Sequence, residues 1–98
     1  MIEAHDRSPI TLSIGDDVKA LTNTSITVQC PTSGVPTPTI TWKKDGERVA
    51  NDSRYTIQDD GSLLISDAVE EDSARYTCIA ESIIGEDSAS SEVQIVGK

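Results

Sequence analysis

Apolar side chains along this chain recur mainly at every second position, in short runs, and almost nowhere at every third or fourth. A period of two is the signature of a strand with one face in a core and the other towards water. Residues 10–14 place Ile10, Leu12 and Ile14 on one side. Gly15, Asp16 and Asp17 interrupt the run, and Val18–Lys19–Ala20–Leu21 resumes it. Residues 25–30 turn Ile26, Val28 and Cys30 inward. Residues 39–43 turn Ile40 and Trp42 inward, and residues 54–58 put Tyr55 and Ile57 together. In residues 62–66, Leu63 and Ile65 are in phase and Leu64 faces out. Residues 74–81 align Ala74, Tyr76, Cys78 and Ala80, and residues 91–96 pair Val93 with Ile95.

The segments between these runs carry turn chemistry. Asp45-Gly46 and Asp60-Gly61 are hairpin signals, because glycine accepts the positive φ that tight turns need. Pro31, Pro36 and Pro38 share a loop, where they remove no ladder hydrogen bond. Residues 66–72 predict about one turn of 3₁₀ or α helix crossing between layers. Many short strands with turn signals between them predict an all-β, two-layer antiparallel sandwich.

Composition narrows the picture. Ninety-eight residues make one domain with one modest core. Phe is absent, so any aromatic anchor is Trp42, Tyr55 or Tyr76. A net charge of −9 argues against nucleic acid and disfavours anionic lipid or heparin-like glycans. Lys43, Lys44 and Arg48 form a small basic group, but Asp45 and Glu47 sit among them, and a solvated strand face is the expected reading. No run of 18 apolar residues exists, and direct membrane contact is not expected. Residues 1–9 read as a linker or expression remnant, 10–96 as the domain and 97–98 as its exit. The whole reads as a piece of a longer protein.

Cys30, Trp42 and Cys78 all fall on inward positions, and Tyr76 lies two residues before the second cysteine. That order matches the hallmark set of an immunoglobulin sandwich. With Ser33–Gly46 ("SGVPTPTITWKKDG"), "RYTI" at 54–57, "DGSLLI" at 60–65, "DSARYTCIAES" at 72–82 and Gly85, the chain resembles the I-set immunoglobulin family over residues 10–96. Two departures are Ala74, where the family usually has Gly, and Ser82, where it usually has Asn. The loop "CPTSGVPTP" at 30–38 further resembles immunoglobulin domains in secreted matrix glycoproteins of the ADAMTS-like group.

The resemblance implies a Cys30–Cys78 disulfide between the sheets, with Trp42 packed on it. It implies that the Tyr76 hydroxyl reaches back to the main chain upstream. Strands A, B, E and D would form one sheet, and A′, G, F and C the other, with a short C′ near Arg48-Val49. Asp72 would anchor the base of the tyrosine corner with Arg54 as its partner; the alternative is a solvated Asp72 that only starts the turn. A zinc site would need four Cys or His ligands, and a redox site C-x-x-C, and neither is present.

No catalytic constellation is visible and nothing calls for a cofactor. The single histidine, His5, lies in the lead-in, and the carboxylate pairs (Asp16-Asp17, Asp59-Asp60, Glu70-Glu71-Asp72, Glu86-Asp87) read as solvated loops rather than acid–base pairs or a calcium loop. Asn23-Thr24-Ser25 and Asn51-Asp52-Ser53 are N-glycosylation candidates. Ile83 and Ile84, near the tip of the last hairpin and flanked by Glu81, Glu86 and Asp87, are the leading candidates for contact with a protein or neighbouring domain. One of the two could instead fold back onto the sandwich end. The outer face bearing Thr41, Lys43, Arg75, Thr77 and Ile79 is a second candidate, and sheet edges are a third. The expected function is a noncatalytic spacer and protein-binding module of an extracellular, secreted matrix glycoprotein. A cell-surface adhesion or receptor module, and an intracellular muscle-type module with reduced cysteines, are the alternatives.

Overall fold

The computed structural model describes residues 9–31, 38–83 and 85–97. Among these, nine strands form: β1 (Ile10–Ser13), β2 (Val18–Leu21), β3 (Ile26–Gln29), β4 (Thr39–Lys44), β5 (Glu47–Arg48), β6 (Tyr55–Ile57), β7 (Leu63–Ile65), β8 (Ala74–Ser82) and β9 (Gly85–Val96). Residues Glu70–Asp72 make a 3₁₀ turn. One sheet has the order β1-β3-β7-β6 and the other β2-β9-β8-β4-β5. The expected two-layer all-β sandwich is therefore what forms.

Pairing is antiparallel except at two places. β2 runs parallel to β9, and β1 runs parallel to β3. The latter register sets Ile10 beside Ile26 and Leu12 beside Val28, so the apolar side of β1 extends that of β3. Between β1 and β2 the chain turns, with the Asp16 N–H donating to the Ser13 carbonyl at 3.0 Å. Gly15 sits there at φ +103°, in a region that L side chains rarely adopt. This turn moves the chain from one sheet to the other.

The core lies between the layers. Ile26, Val28, Leu63 and Ile65 from the first sheet meet Trp42, Tyr76, Cys78, Val93 and Ile95 from the second, all buried. A Cys30–Cys78 disulfide crosses the gap, with its Cα atoms 6.4 Å apart. Trp42 stands directly opposite Cys78 in the β4–β8 ladder, so the indole lies beside the bridge. A buried indole N–H needs an acceptor. Trp42 Nε1 finds it in the Gly61 carbonyl at 2.8 Å, which ties the β6–β7 turn to the core. Gly61 has φ +91°, and a Cβ there would lie 3.2 Å from Ile40 Cγ1. Both conformation and space favour glycine at this turn.

Several strand ends shift by one residue from the sequence reading, and two elements need comment. The C′-like strand β5 is Glu47–Arg48, joined to β4 by a two-residue turn with both Asp45 (φ +50°) and Gly46 (φ +88°) left-handed. More telling, β9 begins at Gly85 and not at residue 91. Its first half pairs with β8 as far as Ser82↔Gly85, while residues 85–89 are exposed. A ribbon without a core behind it has no reason to alternate apolar and polar residues, so periodicity could not reveal it.

The disulfide closes a loop of 48 residues in a chain whose core holds two fully buried aromatics. Replacing both cysteines with Ala should lower the unfolding free energy by about 4 kcal/mol on the loop-entropy relation. Urea melts of the two forms measure this; a difference below about 1 kcal/mol would mean that the bridge is not a main constraint on the unfolded chain.

Candidate functional site

Asp72 ends the 3₁₀ turn and is fully buried. A carboxylate in that position must be paired and hydrogen-bonded. Arg54, at the start of the β6 segment, makes a two-pronged contact, with Nη1 on Oδ2 and Nη2 on Oδ1, each at 2.7 Å. The Val69 N–H donates to Oδ2 at 2.9 Å, and the Tyr55 hydroxyl makes a short hydrogen bond to Oδ1. The Tyr76 hydroxyl donates to the Asp72 main-chain carbonyl at 2.6 Å. One residue thus joins β6, the 3₁₀ turn and β8. Burial alone would push the Asp72 carboxyl up. The Arg54 guanidinium, the Tyr55 hydroxyl and the Val69 N–H outweigh it and hold the group down at about 2. Burial also raises the Tyr76 hydroxyl, next to that of Tyr55, well above its ordinary value.

The role of Tyr55 was not apparent from its alternation with Ile57. Its ring is half-buried, with the Arg54 guanidinium 5.4 Å and the Lys44 ammonium 5.9 Å from its centre. Lys44 Nζ also donates to the Glu71 carbonyl at 2.8 Å. The Lys43/Lys44/Arg48 group is therefore split. Lys44 is engaged beside the Asp72 cluster, whereas Lys43 and Arg48 face each other across the β4–β5 hairpin.

The cluster is structural support, and the candidate contact surfaces lie elsewhere. Ile83, in the turn between β8 and β9, is 89% exposed; Ile84 lies outside the described residues, as do His5 and Pro36. In the register below the turn, Glu81 stands opposite Glu86 and Ala80 opposite Asp87. The outer face of the five-stranded sheet carries Thr41, Lys43, Arg75, Thr77 and Ile79. Arg75 pairs with Glu92 at 3.3 Å, and the Thr77 and Ser90 hydroxyls are 2.8 Å apart.

The β6 edge is occupied by its own loop. Asn51 Oδ1 accepts the Ile57 N–H at 2.6 Å, and Asp52 Oδ1 accepts those of Arg54 and Tyr55, each at 2.8 Å. These main-chain donors hold the exposed Asp52 carboxyl below its ordinary value. Such a covered edge is not open for strand addition. Both sequon asparagines, Asn23 and Asn51, are exposed. Among the described residues no three His, Cys, Asp or Glu side chains gather as a metal-ligand set.

A two-sheet sandwich bridged by a disulfide beside a tryptophan, with a tyrosine hydroxyl turned back to the main chain, defines an immunoglobulin-like domain. The Immunoglobulin I-set domain model matches residues 9–95, and the chain belongs to that family. Human ADAMTS-like protein 1 is 38% identical over 92 residues, covering 93% of this chain and 5% of that protein. Bovine neural cell adhesion molecule 1 is 42% identical over 77 residues (76% and 9%), and mouse peroxidasin homolog 36% over 78 (80% and 5%). The chain thus spans less than a tenth of these relatives. Among solved structures, neural ectodermal development factor IMP-L2 superposes with a TM-score of 0.79 at 29% identity, over 84% of this chain and 40% of that one. Titin domains Z1Z2, in complex with telethonin, give 0.80 at 26%, over 85% and 44%.

The Asp72 carboxyl is held at about 2 in the fold against an ordinary 3.8. A depressed acid stabilises the fold above the unfolded value and loses that contribution as pH falls through the folded one. Unfolding free energy should therefore drop by about 2 kcal/mol between roughly pH 4 and pH 2 through this group. Asp72→Asn should lower stability at neutral pH by about 3 kcal/mol and flatten this acid limb. Denaturant melts at stepped pH test both; an unchanged acid limb in the variant would show that Asp72 is not the group responsible.

Proposed function

We propose that this chain is a noncatalytic protein-binding and spacing module of a secreted, multidomain extracellular-matrix glycoprotein. The observation that carries the binding role is Ile83. It is the one large apolar side chain among the described residues that stands open to water, at 89% exposure. It caps a ribbon that projects past the core, beside Glu81, Glu86 and Asp87. An apolar anchor ringed by carboxylates suits a partner with an apolar socket and a basic rim. Membership of the I-set family and likeness to ADAMTS-like protein 1 and to a cell adhesion molecule support the reading.

The extracellular setting is supported by the Cys30–Cys78 bridge, since such bridges persist in oxidising compartments. Asn23 and Asn51 serve in this reading as N-glycan acceptors. Asn51 is compatible with a glycan because its Oδ1 does the hydrogen bonding to Ile57, leaving the amide nitrogen free for the sugar. The likeness to titin domains supports the competing intracellular reading, in which both cysteines would be reduced.

Two measurements test the proposal. Thiol titration of the denatured, unreduced protein from its native source should find neither Cys30 nor Cys78 reactive; two free thiols would establish the intracellular reading. Capture from an extracellular-matrix extract should weaken at least about tenfold in Ile83→Asp, with the melting temperature unchanged because the residue touches no core. Equal capture by both forms would remove the tip as the contact element.

A further inference from the structure

The register of the five-stranded sheet places two like-charged pairs on its outer face. Lys43 stands directly opposite Arg48 across β4 and β5. Glu81 stands directly opposite Glu86 across β8 and β9. Both pairs face outward, because Trp42 and Cys78, next in phase, face the core. Like charges in direct cross-strand register destabilise a sheet. None of the four has an ion-pair partner among the described residues. By contrast, Arg75 and Glu92 on the same face neutralise each other.

Between the two pairs lies a patch of small, uncharged side chains. One row across the sheet is Ser88, Ile79 and Thr41; the next is Ser90 and Thr77, leading to Lys43 and Arg48. Four residues of β8 separate the acidic row at Glu81 from the basic row at Thr77, about 13 Å, and two strand spacings separate the pairs laterally, about 10 Å. The midpoint of the diagonal falls between Ile79 and Thr41.

We infer that this face associates with a second copy of itself. A two-fold axis lying in the interface, perpendicular to the diagonal and crossing it at its midpoint, sets each acidic pair on the other copy's basic pair. The same operation sets Ile79, half-buried and the sole apolar residue of the patch, on its counterpart. Such an isologous contact needs a self-complementary surface, and a face with opposite charges at its two ends is one. It also removes both like-charge repulsions at once. The net charge of −9 opposes approach at long range, but at about 0.15 M salt the Debye length of about 8 Å screens it while leaving close pairs in place. This surface shares Glu81 and Glu86 with the rim of the Ile83 turn, but the association does not depend on Ile83 itself.

Sedimentation equilibrium on the chain in about 0.15 M salt, at concentrations up to about 1 mM, should reveal a reversible dimer. Glu81→Lys/Glu86→Lys gives a face that is basic at both ends; Lys43→Glu/Arg48→Glu gives one that is acidic at both. Each double variant alone should associate at least about tenfold more weakly than the parent. An equimolar mixture of the two should associate at least as tightly as the parent. Ile83→Asp should leave dimerisation unchanged. Thermal melts report that the variants are folded; Arg48, Glu81 and Glu86 are exposed and Lys43 is half-buried on the outer face. A parent chain that stays monomeric over the whole range, or a mixture that fails to associate, overturns the inference.

Discussion

Asp72 carries a full negative charge with no access to water, and a charge so placed is costly unless every oxygen is matched. Here the matching is what assembles one end of the sandwich. The guanidinium comes from the start of β6, the hydroxyl from Tyr55, an N–H from the 3₁₀ turn, and the main-chain carbonyl receives Tyr76 from β8. Strands from both sheets therefore end on one residue. The Cys30–Cys78 bridge does in the middle of the core what Asp72 does at its margin. A Phe-free domain of 98 residues has little other means of fixing its two layers, and Trp42 fills the remaining space while holding the Gly61 turn.

With the layers fixed by buried groups, the surface is left free for recognition. The apolar Ile83 turn, the bipolar outer face and the loop-covered β6 edge are three different answers to one problem, namely which exposed main chain and side chain a partner is allowed to meet. The edge is closed by Asn51 and Asp52, whose side-chain oxygens take the N–H groups that an incoming strand would need. The other two remain open.

Much of this could be read from residue order. Strict alternation marked Ile26/Val28, Trp42, Tyr76/Cys78 and Val93/Ile95 as the core, because each lies on a strand with one wet face. Arg54 and Asp72 were expected as a pair only through the tyrosine corner that the resemblance implies, with a solvated Asp72 as the alternative. What stayed hidden is what depends on tertiary placement. Tyr55 alternates with Ile57 like any inward residue, and nothing local shows that its hydroxyl ends on Asp72. The resemblance implied that strands A, B, E and D share a sheet, and β1-β3-β7-β6 is that sheet; the parallel direction of β1 against β3 was not implied, because it leaves the alternation of β1 unchanged. The like-charge pairs emerge only once register is known, since Lys43 and Arg48, or Glu81 and Glu86, are unremarkable as neighbours in sequence.

β4 flanks β8 as far as Thr39↔Glu81, and beyond it the β8–β9 ribbon closes alone at Ser82↔Gly85. Two strands without a layer behind them are marginal in water. Their amide protons are therefore governed by local fraying, at a free energy far below that which opens Trp42 and Cys78. Hydrogen exchange would read the domain as two regimes: a slow body and a fast finger. The finger can bend or re-pair without loosening the body, so evolution can vary what it touches at almost no risk to whether the chain folds.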